Sequence, residues 1–126
     1  MKKAMAVRMI NEYGAPSVCF EMDGNAALFD AEELDELIEE LSRLRSGMRP
    51  GVPNAPSRAH QYVMEMNPSW YTERTPLFDG AALFLRHSGL GWACFALPVD
   101  SLQKLADALY THIREHNTMQ PHLALN

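Results

Sequence analysis

The segment Thr111-His112-Ile113-Arg114-Glu115-His116 places two imidazoles one helical turn apart with a carboxylate between them. Such a set can hold a divalent cation and supply a base beside it. A second grouping lies in Asn67-Pro68-Ser69-Trp70-Tyr71-Thr72-Glu73-Arg74-Thr75-Pro76, where Trp70, Tyr71 and Arg74 combine apolar area with polar tips, the chemistry enriched at contact surfaces. Arg58, His60, Arg86 and His87 add positive charge that, with those rings, would suit a groove for single-stranded nucleic acid, where bases stack on aromatics and the backbone follows cations. Trp92 lies in a separate apolar run and completes the candidate binding set of Trp70, Tyr71, Arg74, Arg86 and Trp92.

The pattern His-x-x-Glu-His resembles the zinc motif of inverzincin peptidases, and the resemblance implies His112 and His116 as ligands with Glu115 as base. That family needs a further carboxylate well downstream, whereas ten residues follow His116 and none is acidic. The simpler reading is that these side chains sit in the last turn of a helix, complementing its negative end. His122 offers a third nitrogen for an adventitious metal at most, so no resident metal is expected. For Trp70 and Tyr71 the simpler reading is a lid folded back over an exposed core edge.

Other chemistry is sparse. The sequence has no Gly-rich phosphate loop, no nucleophile elbow and no carboxylate pair set for perturbed ionisation, while Asp23-Gly24 and Asp79-Gly80 read as turns. Ser88 and His87 are neighbours and would point to opposite faces of a strand. The expectation is a protein that is not an enzyme, with no catalytic residues and no cofactor.

The elements that would carry these residues follow from patterning. Residues 4–10 and 17–22 read as strands, and Asp23-Gly24 supplies the positive φ angles of a tight hairpin back through Ala26 to Phe29. Asp30 with Glu33 has capping-box spacing. Leu34, Leu37, Ile38, Leu41 and Leu44 then recur at helical period, opposite an acidic face, up to Gly47. Pro50, Gly51, Pro53 and Pro56 mark a linker over 47–59.

The same order returns beyond it. Tyr62 to Asn67 echoes the first strand, Ala81 to His87 and Trp92 to Leu97 form a hairpin, and a helix starts near Asp100. Its Leu102, Leu105 and Leu109 fall on Leu34, Leu37 and Leu41 at a constant offset of 68, with Leu97 on Phe29. The fold expected is α+β, a single domain over 1–126. Two tandem βββα units, about 4–46 and 60–117, would share an antiparallel sheet with both helices on one face, and 118–126 would form a short tail.

Alternation adds a constraint. If Phe95 and Leu97 face the helices, then Trp92, Cys94 and Ala96 face the other side, so the sheet is apolar on both faces and something should cover the second. At fold level the arrangement is similar to tandem sheet-plus-helix modules such as the PUR and PC4-like single-strand binders, and Ala96-Leu97-Pro98 leading into an amphipathic helix looks like the corresponding PUR segment. The resemblance implies nucleic-acid binding, but the basic, aromatic strands on which those families rely are missing here.

Charge weighs the same way. The formal net charge is -5, with ten acids against six bases up to Pro56 and six against five from Ser57 onward, so attraction to phosphate is disfavoured overall. Cys19 and Cys94 each lie in an apolar run and read as two buried thiols. The apolar stretch after Lys3 is too short for a secretory signal, no run approaches a bilayer span, and a cytoplasmic protein is expected. The leading functional expectation is an interaction or adaptor protein, a homodimer binding through an apolar sheet face and the Trp70 loop. Single-stranded nucleic-acid binding is one alternative, and a small apolar ligand in a pocket lined by methionines is another.

Overall fold

The computed structural model describes residues 4–12 and 14–124. The chain divides into two compact units, Met1–Val63 and Met64–Asn126. The first holds β1 (Met5–Glu12), β2 (Ala15–Met22), β3 (Asn25–Phe29) and α1 (Ala31–Ser46); the second holds β4 (Trp70–Arg74), β5 (Gly80–His87), β6 (Gly91–Pro98) and α2 (Val99–Ala124). An α+β class is therefore observed. The hydrogen-bonded ladders form two three-stranded antiparallel sheets among the described residues, ordered β1-β2-β3 and β4-β5-β6. A sheet continuous between units, as the sequence suggested, is not among these ladders, each of which pairs a strand with its neighbour in the chain.

In the first unit the turn chemistry acts as expected: Asp23 and Gly24 take φ of 52° and 81°, closing β2 on β3. The capping box at α1 is complete. The Glu33 amide donates to the Asp30 carboxylate at 2.8 Å, and the Asp30 amide donates back to Glu33 Oε1 at 3.2 Å. Register places Met9, Val18 and Phe29 on the face where Leu34 of α1 sits, and the Phe20 and Phe29 rings meet edge-on at 5.1 Å. Central strand β2 carries Cys19, which is buried on the opposite face between Arg8 and Leu28 of its neighbours. Arg8 and Glu21 pair at 2.5 Å on that same face.

The second unit departs from expectation at its start. Tyr62 to Met66 is not a strand. Asn67 holds a positive φ of 47° and Pro68 lacks an amide proton, so the ladder begins only at Trp70. The segment read as a Trp70 loop is thus the edge strand β4, its aromatic and threonine content suiting a pleated surface between Pro68 and Pro76. At the head of β5, Gly80 is obligatory: a Cβ there would stand 2.1 Å from the Leu97 carbonyl oxygen. The helix α2 runs through the stretch expected as a tail and past Pro121, up to Ala124. No helix among the described residues is long and apolar enough to cross a membrane.

Candidate functional site

Register sorts the sheet of the second unit into two faces. Trp70, Thr72 and Arg74 of β4 stand opposite Leu85, Leu83 and Ala81 of β5, which stand opposite Ala93, Phe95 and Leu97 of β6. This is the face that α2 approaches, through Leu102 and Leu105. The other face carries Tyr71, Glu73, Ala82, Phe84 and Arg86, with Trp92, Cys94 and Ala96. Trp70, Tyr71 and Arg74 therefore do not form one surface: strand alternation sends Trp70 and Arg74 to the helix side and Tyr71 to the far side. Arg86 and Trp92 join Tyr71 there, directly cross-strand from one another.

On the helix side an open groove of about 540 Å³ lies between sheet and helix, lined by Trp70, Leu83, Leu85, Leu97, Leu105 and Leu109 among others. The lining is almost wholly apolar because the sheet presents small and branched residues while α2 presents its leucine stripe. No methionine lines it, so the methionine pocket considered from the sequence is not found at this groove. The helix covers the sheet incompletely. Leu97, Leu102 and Leu105 are half-buried, whereas Trp70 is 67% exposed and Leu109 55%.

On the far side the rings of Tyr71 and Phe84 lie 5.7 Å apart, and Trp92 is exposed beside them. Cys94 is exposed on this face. The two buried thiols expected from the sequence are thus one buried and one exposed, Cys19 lying on a central strand and Cys94 on an edge strand of the described sheets.

A polar anchor holds the hairpin between β5 and β6. Glu65 Oε1 accepts from the Ser88 amide at 2.7 Å and from the Ser88 hydroxyl at 2.6 Å. These bonds hold the Glu65 carboxyl below its ordinary pKa, Ser88 Oγ contributing most, then the Ser88 amide, with smaller help from the Arg86 charge against a desolvation cost. His87 Nδ1 accepts from the Gly89 and Leu90 amides, both at 3.0 Å. Glu65, His87 and Ser88 are therefore committed to shaping a turn. Sequence reasoning missed Glu65, and its position 23 residues before Ser88 gave no local signal.

His112 and His116 of α2 are exposed, and His112 Nδ1 lies 3.8 Å from Glu115 Oε2. Because α2 ends at Ala124, eight residues beyond His116, they are not in its last turn, and the helix-dipole explanation drawn from the sequence does not hold, the dipole acting only over the terminal turn. Among the described residues no three metal-binding side chains converge; the side chain of His122 lies outside them. Arg114 stacks over the Tyr110 ring at 5.5 Å, which gives the middle of that segment a packing role. Compared with protein-family models, with curated proteins and with solved structures, the chain finds no match.

Proposed function

We propose that this chain is a non-enzymatic interaction protein of the cytoplasm that works as a homodimer, self-association completing the core that each unit leaves open. One observation carries the reading. In a sequence that is 47% apolar, Cys19 is the one buried apolar side chain among the described residues, while Val7, Met9, Trp70, Phe95, Leu109 and Ile113 stand about half exposed or more. Scattered apolar exposure is ordinary, but apolar faces left open on both elements of a helix-sheet pair mark contact surfaces. The constant offset of 68 between the leucine stripes of α1 and α2 supports a duplicated βββα unit behind this pattern. Size-exclusion chromatography with light scattering tests it: a dimer at micromolar concentration is expected, and a monomer throughout the accessible range overturns it.

A second reading has its own observation. Tyr71, Phe84 and Trp92 share one sheet face with Arg86, which is the composition of a stacking platform for single-stranded nucleic acid. Arg74, facing the other way, does not add to it. Anisotropy titration of labelled single-stranded RNA and DNA, with Trp92→Ala alongside, tests this: the reading expects saturable binding that weakens with salt and with loss of the indole.

A further inference from the structure

Resting on the homodimer reading, we infer which surface does the pairing: the free edge of β6 joins the same edge of a second copy, antiparallel about a two-fold axis at Cys94. The backbone of β6 sets up that contact. The Arg86 amide donates to the Ser69 carbonyl at 3.0 Å, so Arg86 turns its backbone groups toward β4 and away from Trp92, its neighbour across the ladder. The Val99 amide donates to the Asp79 carbonyl at 3.0 Å, so the alternate residues Ala93, Phe95 and Leu97 turn theirs toward β5. Trp92, Cys94 and Ala96 are left with N–H and C=O groups pointing outward, and among the described residues no strand pairs with them. Sheets ordinarily blunt such an edge with charge, proline, a bulge or shortness. The opposite edge, β4, is five residues long and carries Glu73 and Arg74; in the other sheet β1 carries Arg8 and Glu12, and β3 is five residues long. From Gly91 to Leu97 β6 has none of these devices: it is uncharged, paired one-to-one with β5, and exposed as far as Ala96.

The occupant this edge matches is itself. With the axis through Cys94, that residue meets its own equivalent, and Trp92 meets the second copy's Ala96. Every outward amide of one copy then finds an outward carbonyl of the other. Side chains fit in the same register. Trp92 lies beside Ala96 on the far face, Phe95 beside Ala93 on the helix side, and Leu97 beside Gly91 at the end, so each bulky residue falls against a small one. Moving the axis to Phe95 sets Trp92 against Pro98, which has no amide proton, and moving it to Ala93 sets Ala96 against Leu90, whose amide already donates to His87 Nδ1. A foreign strand could take the same hydrogen bonds, whereas the match in size is built into this sequence.

Charge placed at the axis tests this on the full chain. Cys94 is exposed and its amide points away from β5, so Cys94→Lys and Cys94→Glu leave the ladder within each copy intact. Either variant alone sets like charges face to face, and its dimer is expected to be weaker than that of wild type by about fivefold or more in light scattering. An equimolar mixture of the two is expected to form the heterodimer in preference to either homodimer, as read by native mass spectrometry. Homodimers of both variants as tight as wild type overturn the edge assignment and leave self-association standing. A wild-type monomer at every concentration overturns both. Hydrogen exchange followed by NMR on the unmodified protein gives an independent readout should either variant fold poorly: on dilution the amides of Trp92, Cys94 and Ala96 are expected to lose protection while those of Ala93, Phe95 and Leu97 keep theirs. A dilution response without that alternation refutes the assignment.

Discussion

Truncating Leu109 to alanine distinguishes a groove that stays open from one that closes over a partner, because the two cases predict different magnitudes. The change removes three carbons, worth about 2.4 kcal/mol when fully buried at about 0.8 kcal/mol each. Leu109 is 55% exposed in the single chain, so roughly half of that, about 1.1 kcal/mol, is at stake there, and the better helix propensity of alanine returns about 0.2 kcal/mol. A single chain thus loses about 1 kcal/mol, independent of concentration. If a second copy covers the side chain, the remaining 1.3 kcal/mol or so is lost from association, twice over by symmetry. The total of about 2.6 kcal/mol per dimer weakens the dimer roughly a hundredfold. Sedimentation equilibrium on wild type and Leu109→Ala, with denaturant melts at several concentrations, measures both terms. Pairing along β6 does not reach β4, which walls the groove at the opposite edge of the sheet. The expected result is therefore a dimer constant that changes by less than about threefold, with a loss near 1 kcal/mol at every concentration, and weakening near a hundredfold refutes the argument.

The other expectations concern the supports of the site. Asp30→Ala breaks the capping box of α1 and should cost about 1 kcal/mol, with Asp30→Ser recovering most of it, as read by thermal melts. Gly80→Ala drives a methyl into the Leu97 carbonyl and should cost about 3 kcal/mol or more, losing the protection of β5 and β6 amides in hydrogen exchange. Glu65 has its pKa depressed by folding, so its contribution to stability is present above the unfolded value of 4.5 and fades as pH falls through the lower folded value. NMR titration should show Ser88→Ala returning the Glu65 pKa toward the ordinary range, and an unchanged midpoint would contradict the assigned cause.

Local signals in the sequence were the reliable ones. Asp23-Gly24, the Asp30 and Glu33 spacing and the leucine period each describe a structure made by residues within one turn of each other, and each is found in place. Trp70 to Arg74 is a strand where the sequence suggested a loop, and proline on either side bounds a short edge strand as well as it bounds a loop. The helix α2 also runs past Pro121 into the stretch 118–126 that the sequence suggested as a tail. Glu65 shows a different limit: an anchor between residues 23 apart is chosen by the fold, and neither residue type announces it.

The candidate site was legible by composition and illegible by geometry. Trp70, Tyr71 and Arg74 are adjacent in sequence, and adjacency suggested one surface; a strand makes neighbours face apart, so the same three residues serve two faces with different chemistry. What the alternation argument did anticipate is that Trp92, Cys94 and Ala96 lie opposite Phe95 and Leu97, leaving apolar residues on both sides of one thin sheet. On the far side those residues stand with Arg86 and Glu73, the mixture of a surface that also meets water. On the helix side the groove is nearly pure hydrocarbon. Water tolerates the first face at small cost and the second at large cost, so α2 lies against the second and leaves the first open.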